Sequence, residues 1–249
     1  MSKKTANLPF IDKTNVYVSE CLSTNDFLTQ LTKKSNLSQG SYVITDFQTK
    51  GRGQRKNKWE SEKGKNLLFS ILMKPNFSLR DQFKLHIIVS LSIKNALKKI
   101  GLKKVKIKWP NDIYINDKKI SGILIENQIF KNIIKQSIIG IGININQIKF
   151  HDPKATSVFN EMNIKFDVSD ILKLLINSIE NDFQDLDRDM DELINLYKRE
   201  LYMFDRIQNF VFKNKKLIGR IIDVNKDGRI IMDVNKKKEK YDFGALRFI

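Results

Sequence analysis

The chain has 249 residues, 41% of them hydrophobic, which is enough for one sizeable core and a small second one. Its formal charge of +17 invites a nucleic-acid or anionic-membrane reading, but only nine of the 45 basic residues are Arg, and the 36 Lys are dispersed along the sequence like a solvated surface. A lone cysteine, Cys21, excludes an intrachain disulfide, and two histidines, His86 and His151, without a Cys cluster speak against zinc.

The basic N-terminus is not followed by an apolar signal region, and no apolar run approaches the length of a membrane span, so a soluble cytoplasmic protein is expected. In chain order, "STNDFLTQLTKK" predicts a helix with Phe27, Leu28 and Leu31 on one face and Ser23 or Thr24 as its cap. "YVITDF" predicts a strand over 42–47, and "NLLFSILM" a buried strand over 66–73. Between them lies "KGRGQRKNKWES", a basic glycine loop joining two strands. That order argues against a dinucleotide fingerprint, which needs a helix after the glycines. Its glycines allow close backbone approach, and Arg52 and Arg55 offer planar donors for carboxylate or phosphate.

A helix is predicted over 78–101, with Ser78 and Asp81 resembling a capping box and Gly101 as the stop. From 105 the period becomes two: "VKIKW", "DIYIN" and "KISGILIEN", with a hairpin turn at Asn116–Asp117. "SIIGIGINI" over 137–145 predicts a central strand. Residues 169–204 return to helical spacing. From 207, short alternating runs separated by turn residues predict a small antiparallel barrel, and a domain boundary near 206 divides the chain into 1–206 and 207–249.

Five segments taken together, Ser23-Thr24-Asn25, Gln48 before "GRGQRKNKW", "KWPND" at 108–112, Lys119 before "SGILIE", and "GIGININ", resemble in order and spacing the motifs of the biotin protein ligases. The resemblance spans residues 23–146, and the barrel-like tail is similar to the family's SH3-like C-terminal domain. It implies an α+β fold, with a mixed sheet and helices of the class II synthetase type plus that small barrel. It also implies ATP-dependent formation of biotinyl-5′-adenylate and transfer of biotin to a lysine of a biotin carboxyl carrier protein. Neither step needs an enzyme nucleophile, which suits a chain without a Ser-His-Asp or Cys-His set.

On that resemblance Arg52 and Lys119 are the catalytic cations. Ser23, Thr24, Asn25, Gln48, Arg52, Gly53, Gln54, Lys119 and Gly122 are expected around biotin, and Arg52, Arg55, Trp59, Lys108, Asn111, Asp112, Gly142 and Asn144 around the nucleotide with Mg2+. Simpler roles stand beside these: helix capping for Ser23 and Thr24, a hairpin role for Asn111-Asp112, strand crossing for Gly140, Gly142 and Asn144, and a one-residue shift to Lys118. Two departures matter. Gln54 stands where many members have Arg, which puts retention of the intermediate in doubt unless Arg55, Lys56 or Lys58 compensates. The Ser-Thr-Asn motif arrives at residue 23, so a ligase without a helix-turn-helix segment or operator binding is expected, as monomer or dimer. A lipoate ligase and a nucleic-acid-binding tail around "NKKKEK" are the alternative readings.

Overall fold

The computed structural model describes Phe10 and residues 12–249. The chain runs β1 (Asn15–Cys21), α1 (Thr24–Lys34), β2 (Tyr42–Gln48), β3 (Leu67–Met73), β4 (Phe77–Ser78), α2 (Phe83–Lys99), β5 (Val105–Lys108), β6 (Asp112–Ile115), β7 (Lys118–Phe130) and β8 (Ile133–Ile143). It continues through α3 (Val158–Met162), α4 (Val168–Phe183), α5 (Met190–Glu200), β9 (Gln208–Phe212), β10 (Lys215–Val224), β11 (Ile230–Val234), β12 (Lys237–Tyr241) and β13 (Leu246–Phe248).

The first sheet has the order β1-β2-β3-β8-β7-β6-β5, with β4 added beside β8. Only β1 and β2 pair in parallel, so the sheet is mixed, as the sequence predicts. β1 itself carries only a weak sequence signal, because the exposed Tyr17 between Val16 and Val18 breaks the apolar–polar alternation. The helical stretch 169–204 divides at Asp189, which caps α5 by accepting from Asp191 N–H and Glu192 N–H.

β8 explains how the layers form. Its Ile139, Ile141 and Ile143 point to one face and are buried in the main core cluster, to which α2, α4 and α5 also contribute. The intervening Gly140 and Gly142 point to the other face. There α1 lies over a smaller cluster of Leu28, Leu37, Val43, Leu72 and Ile138. The helix layer therefore supplies most of the hydrophobic stabilisation, and the glycine face is left open for a site.

The tail forms five strands in the order β12-β11-β10-β9-β13, but the sheet is open. The expected SH3-like barrel is thus corrected: among the described residues no ladder joins the edge strands β12 and β13. The reason lies in the link between them. Phe243 turns away to pack on Phe83, His86 and Trp109 of the larger unit, and β13 is only three residues long. Trp109 Nε1 donates to Gly228 O at 2.8 Å, which fastens the β10–β11 side of the sheet to the same cluster. The Lys-rich run forms edge strand β12 beyond a turn at Asn235 and Lys236, both with positive φ. Such a charged edge discourages pairing with other chains. Among the described residues no helix is long and apolar enough to cross a membrane.

His86 is half-buried in this seam against Phe83 and Phe243, and that burial pushes its pKa from 6.5 down to about 4. The unfolded chain takes up a proton on His86 near pH 6.5, and the folded one does not until about pH 4. The stability contribution is therefore complete above the unfolded value and is lost as pH falls between the two, by about 3 kcal/mol in all. Urea unfolding of His86→Phe at several pH values is expected to show a flatter acid limb across that window than the wild type.

Candidate active site

One pocket on the open face of the sheet gathers residues from the start of α1, the end of β2, the loop 51–59 and the centres of β7 and β8. Ser23, Thr24, Asn25, Gln48, Arg52, Gly53, Gln54, Trp59, Asn111, Lys119, Gly122 and Gly142 all line it. Arg55, Lys108, Asp112 and Asn144 do not.

At the helix end, Ser23 occupies the N-cap position yet makes no side-chain cap hydrogen bond, so capping does not account for it. Thr24 donates to Gln48 Oε1 from its backbone N–H (2.8 Å) and its hydroxyl (3.1 Å). Ser70 Oγ lies 2.7 Å from Thr24 Oγ1 and 2.6 Å from Asn25 Oδ1, with one proton for the two. Asn25 Nδ2 donates to Glu126 Oε2 at 2.7 Å. Sequence reading missed Ser70 and Glu126. The available signal was a serine within the otherwise apolar run "LLFSILM", a polar group whose burial demands partners.

The glycines are required by close approach. A Cβ on Gly140 would lie 2.3 Å from Asn25 Oδ1, and one on Gly142 would lie 2.4 Å from the Trp59 ring. Trp59 lies across this glycine cradle, and its buried Nε1 has no hydrogen-bond partner. The loop carrying it is a tight hairpin: Gly53 N–H donates to Asn57 O at 2.7 Å and Trp59 N–H to Gly51 O at 3.0 Å.

Two cations face the pocket. Arg52 donates to Glu126 through both terminal nitrogens (3.0 and 3.1 Å) and to Asp26 at 2.6 Å. Burial alone would lower its pKa, but Glu126 and Asp26 outweigh that and raise it. Lys119 Nζ is 2.7 Å from Asp112 Oδ1 and 5.6 Å from the centre of the Trp59 ring. Lys119 rather than Lys118 faces inward because of a bulge. Ile113 pairs with Ser121 but Tyr114 with Lys119, so the extra residue Ile120 reverses the alternation and brings Lys119 to the face of Gly122. Lys118 is exposed.

The other expected residues lie nearby. Asn111 is buried and donates to Ile123 O at 2.7 Å. Asn144 donates to Thr156 O at 2.9 Å, tying the end of β8 to the following loop. Lys108 sits in an adjoining cleft, donating to Tyr114 Oη at 2.8 Å with Phe248 beside it, and burial lowers its pKa. Arg55 leaves the pocket: its guanidinium donates to Phe243 O and Gly244 O of the C-terminal sheet. Nothing is described of the Lys56 side chain.

The pocket offers polar groups with Arg52 beside them at the α1 end, Lys119 at the Trp59 end and a flat glycine floor between, and its described lining residues include no nucleophile–base pair. That arrangement can align two anions and stabilise charge on oxygen. Gly142→Ala is expected to push Trp59 off the strand, shifting its emission to the red and making it quenchable by acrylamide while far-ultraviolet circular dichroism is unchanged.

The model of the Biotin/lipoate A/B protein ligase family matches residues 18–144, about half of the chain. Bifunctional ligase/repressor BirA of Escherichia coli is 27% identical over 243 residues, which cover 92% of this chain and 68% of that protein. The Bacillus subtilis protein of the same name is 31% identical over 156 residues, 61% of this chain but only 48% of the relative's length. Among solved structures, biotin protein ligase from Aquifex aeolicus in complex with biotin and ATP matches with a TM-score of 0.79 at 25% identity, covering 95% of this chain and 99% of that one.

Proposed function

This chain belongs to the biotin/lipoate A/B protein ligase family, and from that premise we infer what its pocket does. It is an ATP-dependent biotin protein ligase. The biotin carboxylate attacks the α-phosphate of ATP, releasing pyrophosphate and leaving biotinyl-5′-adenylate. A lysine amine of a biotin carboxyl carrier domain then attacks the mixed anhydride, and AMP leaves. The observation that carries this reading is the convergence of Ser23-Thr24-Asn25, Arg52 and Lys119 on one pocket from separate segments.

Each group has a physical task. Thr24, Asn25 and Gln48, with Ser23, meet the donors and acceptors of the ureido ring. Arg52 and the Gly53 backbone bring the carboxylate toward the phosphate, and Lys119 offsets the charge that grows on the phosphate oxygens. Asn111, Gly142 and Trp59 face the adenylate. The space now enclosed is about 50 Å³, far below the roughly 300 Å³ of a small ligand site, because the Trp59 ring lies in the cradle. Ligand entry therefore requires the loop 51–59 to move, and Trp59 stacks again once the adenylate is in place.

Mg2+ would reduce repulsion along the triphosphate. Asp112 is the carboxylate suited to it, since its enclosed Oδ1 has no aligned hydrogen bond despite the nearby Lys119. Mg2+ commonly binds through one or two carboxylates together with substrate phosphates. A lipoyl dithiolane has no donors or acceptors for the Thr24, Asn25 and Gln48 end, so that end favours biotin.

Incubation with ATP, Mg2+, biotin and a carrier domain is expected to add one biotin to the acceptor by mass. Arg52→Ala and Lys119→Ala each slow biotin-dependent ATP–pyrophosphate exchange by about 10²-fold or more. Exchange with lipoate at a rate comparable to biotin would refute the substrate assignment.

A further inference from the structure

Arg52 is the cation that the functional reading gives to the ligand's carboxylate and phosphate, yet its terminal nitrogens are already held by two carboxylates of the protein. Glu126 takes both of them through its two oxygens, and its Oε2 also accepts from Asn25 Nδ2 at 2.7 Å. It therefore joins the Ser-Thr-Asn end of the pocket to the glycine loop. Asn25 Oδ1 in turn meets Ser70, which meets Thr24, which meets Gln48. A chain of polar contacts thus runs from Gln48 to Arg52, and Glu126 is the link that crosses to the loop.

Asp26 differs. It stands in the first turn of α1, takes Arg52 Nη2 at 2.6 Å, and adds a second negative charge at the Arg52 end of that chain without linking Arg52 to Asn25. Two carboxylates around one guanidinium leave an excess of negative charge where an anion must land, and like charges that close repel. We propose that Glu126 is a positioning residue that aligns Arg52 with Asn25, and that Asp26 competes with the anionic ligand for Arg52. The competition rests on the functional reading above; the role of Glu126 in holding Arg52 does not.

The two carboxylates can be told apart. Arg52, Asp26 and Glu126 are 41%, 46% and 38% exposed, so salt screens the competition by Asp26. The alignment by Glu126 depends on hydrogen-bond geometry and responds instead to the shape of the replacement side chain.

In biotin-dependent ATP–pyrophosphate exchange, Asp26→Asn is expected to lower the KM for biotin about threefold at ~50 mM salt and to lose most of that advantage at ~500 mM. Glu126→Ala raises KM about tenfold, and Glu126→Gln, whose one oxygen can still accept from Asn25 Nδ2 and Arg52 Nη2 while its amide group faces Arg52 Nη1, recovers part of the loss. The guanidinium Nη–H signals of Arg52, assigned with Arg52→Lys, read the contact with no ligand added. They are resolved when hydrogen bonding hinders rotation about Nε–Cζ, and they broaden in Glu126→Ala. An Asp26→Asn protein whose KM is unchanged or raised overturns the competition. Arg52 signals indifferent to Glu126→Ala, or Glu126→Gln as impaired as Glu126→Ala, overturn the positioning role. A wild type without biotin-dependent exchange defeats the functional reading and the competition with it, while the resonance comparison still decides what Glu126 does.

Discussion

The site depends on one strand having no side chains on one of its faces. In β8, isoleucines at 139, 141 and 143 bury themselves under the helix layer while Gly140 and Gly142 leave bare backbone on the opposite side. Glycine within a strand weakens it by about 0.5–1 kcal/mol relative to alanine. The sheet tolerates this because β8 lies at its centre, flanked by long ladders with β3 and β7, and because the other face carries most of the apolar burial. A single methyl at either glycine would meet Asn25 or Trp59 at well under contact distance. The alternation of large and absent side chains therefore creates both the core and the floor of the pocket.

On that floor, charge is managed by pairing. Each cation facing the pocket has a protein carboxylate within 3 Å: Arg52 has Asp26 and Glu126, and Lys119 has Asp112. Pairing keeps the positive groups pointed at the pocket without leaving them to repel each other, and it keeps two long side chains from wandering into solvent. It also means that an incoming anion exchanges partners instead of meeting bare charge. Partly exposed pairs of this kind are worth little to stability, so their value is in orientation.

Much of this was legible in the sequence because the motifs are local. Ser-Thr-Asn at a helix start, the basic glycine loop, and the Ile-Gly alternation each keep their meaning within a few residues. What escaped was set by distant partners. Ser70 and Glu126 acquire their roles only when β3, β7 and α1 come together. Lys119 is singled out over Lys118 by its place before "SGILIE", but the bulge at Ile120 that turns it inward is announced by no periodicity in "DKKISG". β1 gives only a weak signal because the exposed Tyr17 between the inward Val16 and Val18 breaks the apolar–polar alternation in sequence. The tail predicts a small barrel from sequence because short strands and turn residues look the same whether or not the last strands meet. Here the segment that would bring them together is committed elsewhere.

That commitment gives Arg55 its place. Its backbone sits in the left-handed region, φ 55° and ψ 42°, a conformation that costs a non-glycine residue about 1 kcal/mol or more and persists only where surroundings enforce it. The enforcing partners are the carbonyls of Phe243 and Gly244, and a Cβ on Gly244 would collide with the guanidinium. The loop is thus held at two points, by Arg55 on the C-terminal sheet and by Trp59 on the glycine floor. Trp59 is the one with an unpartnered donor and with a ring standing where a ligand must go. On the functional reading proposed for the pocket, the Trp59 end is the part of the loop that must yield to a ligand, while Arg55 ties the other part to the C-terminal sheet. The tail sheet, none of whose described residues lines the pocket, is thus joined to the loop that does line it through Arg55.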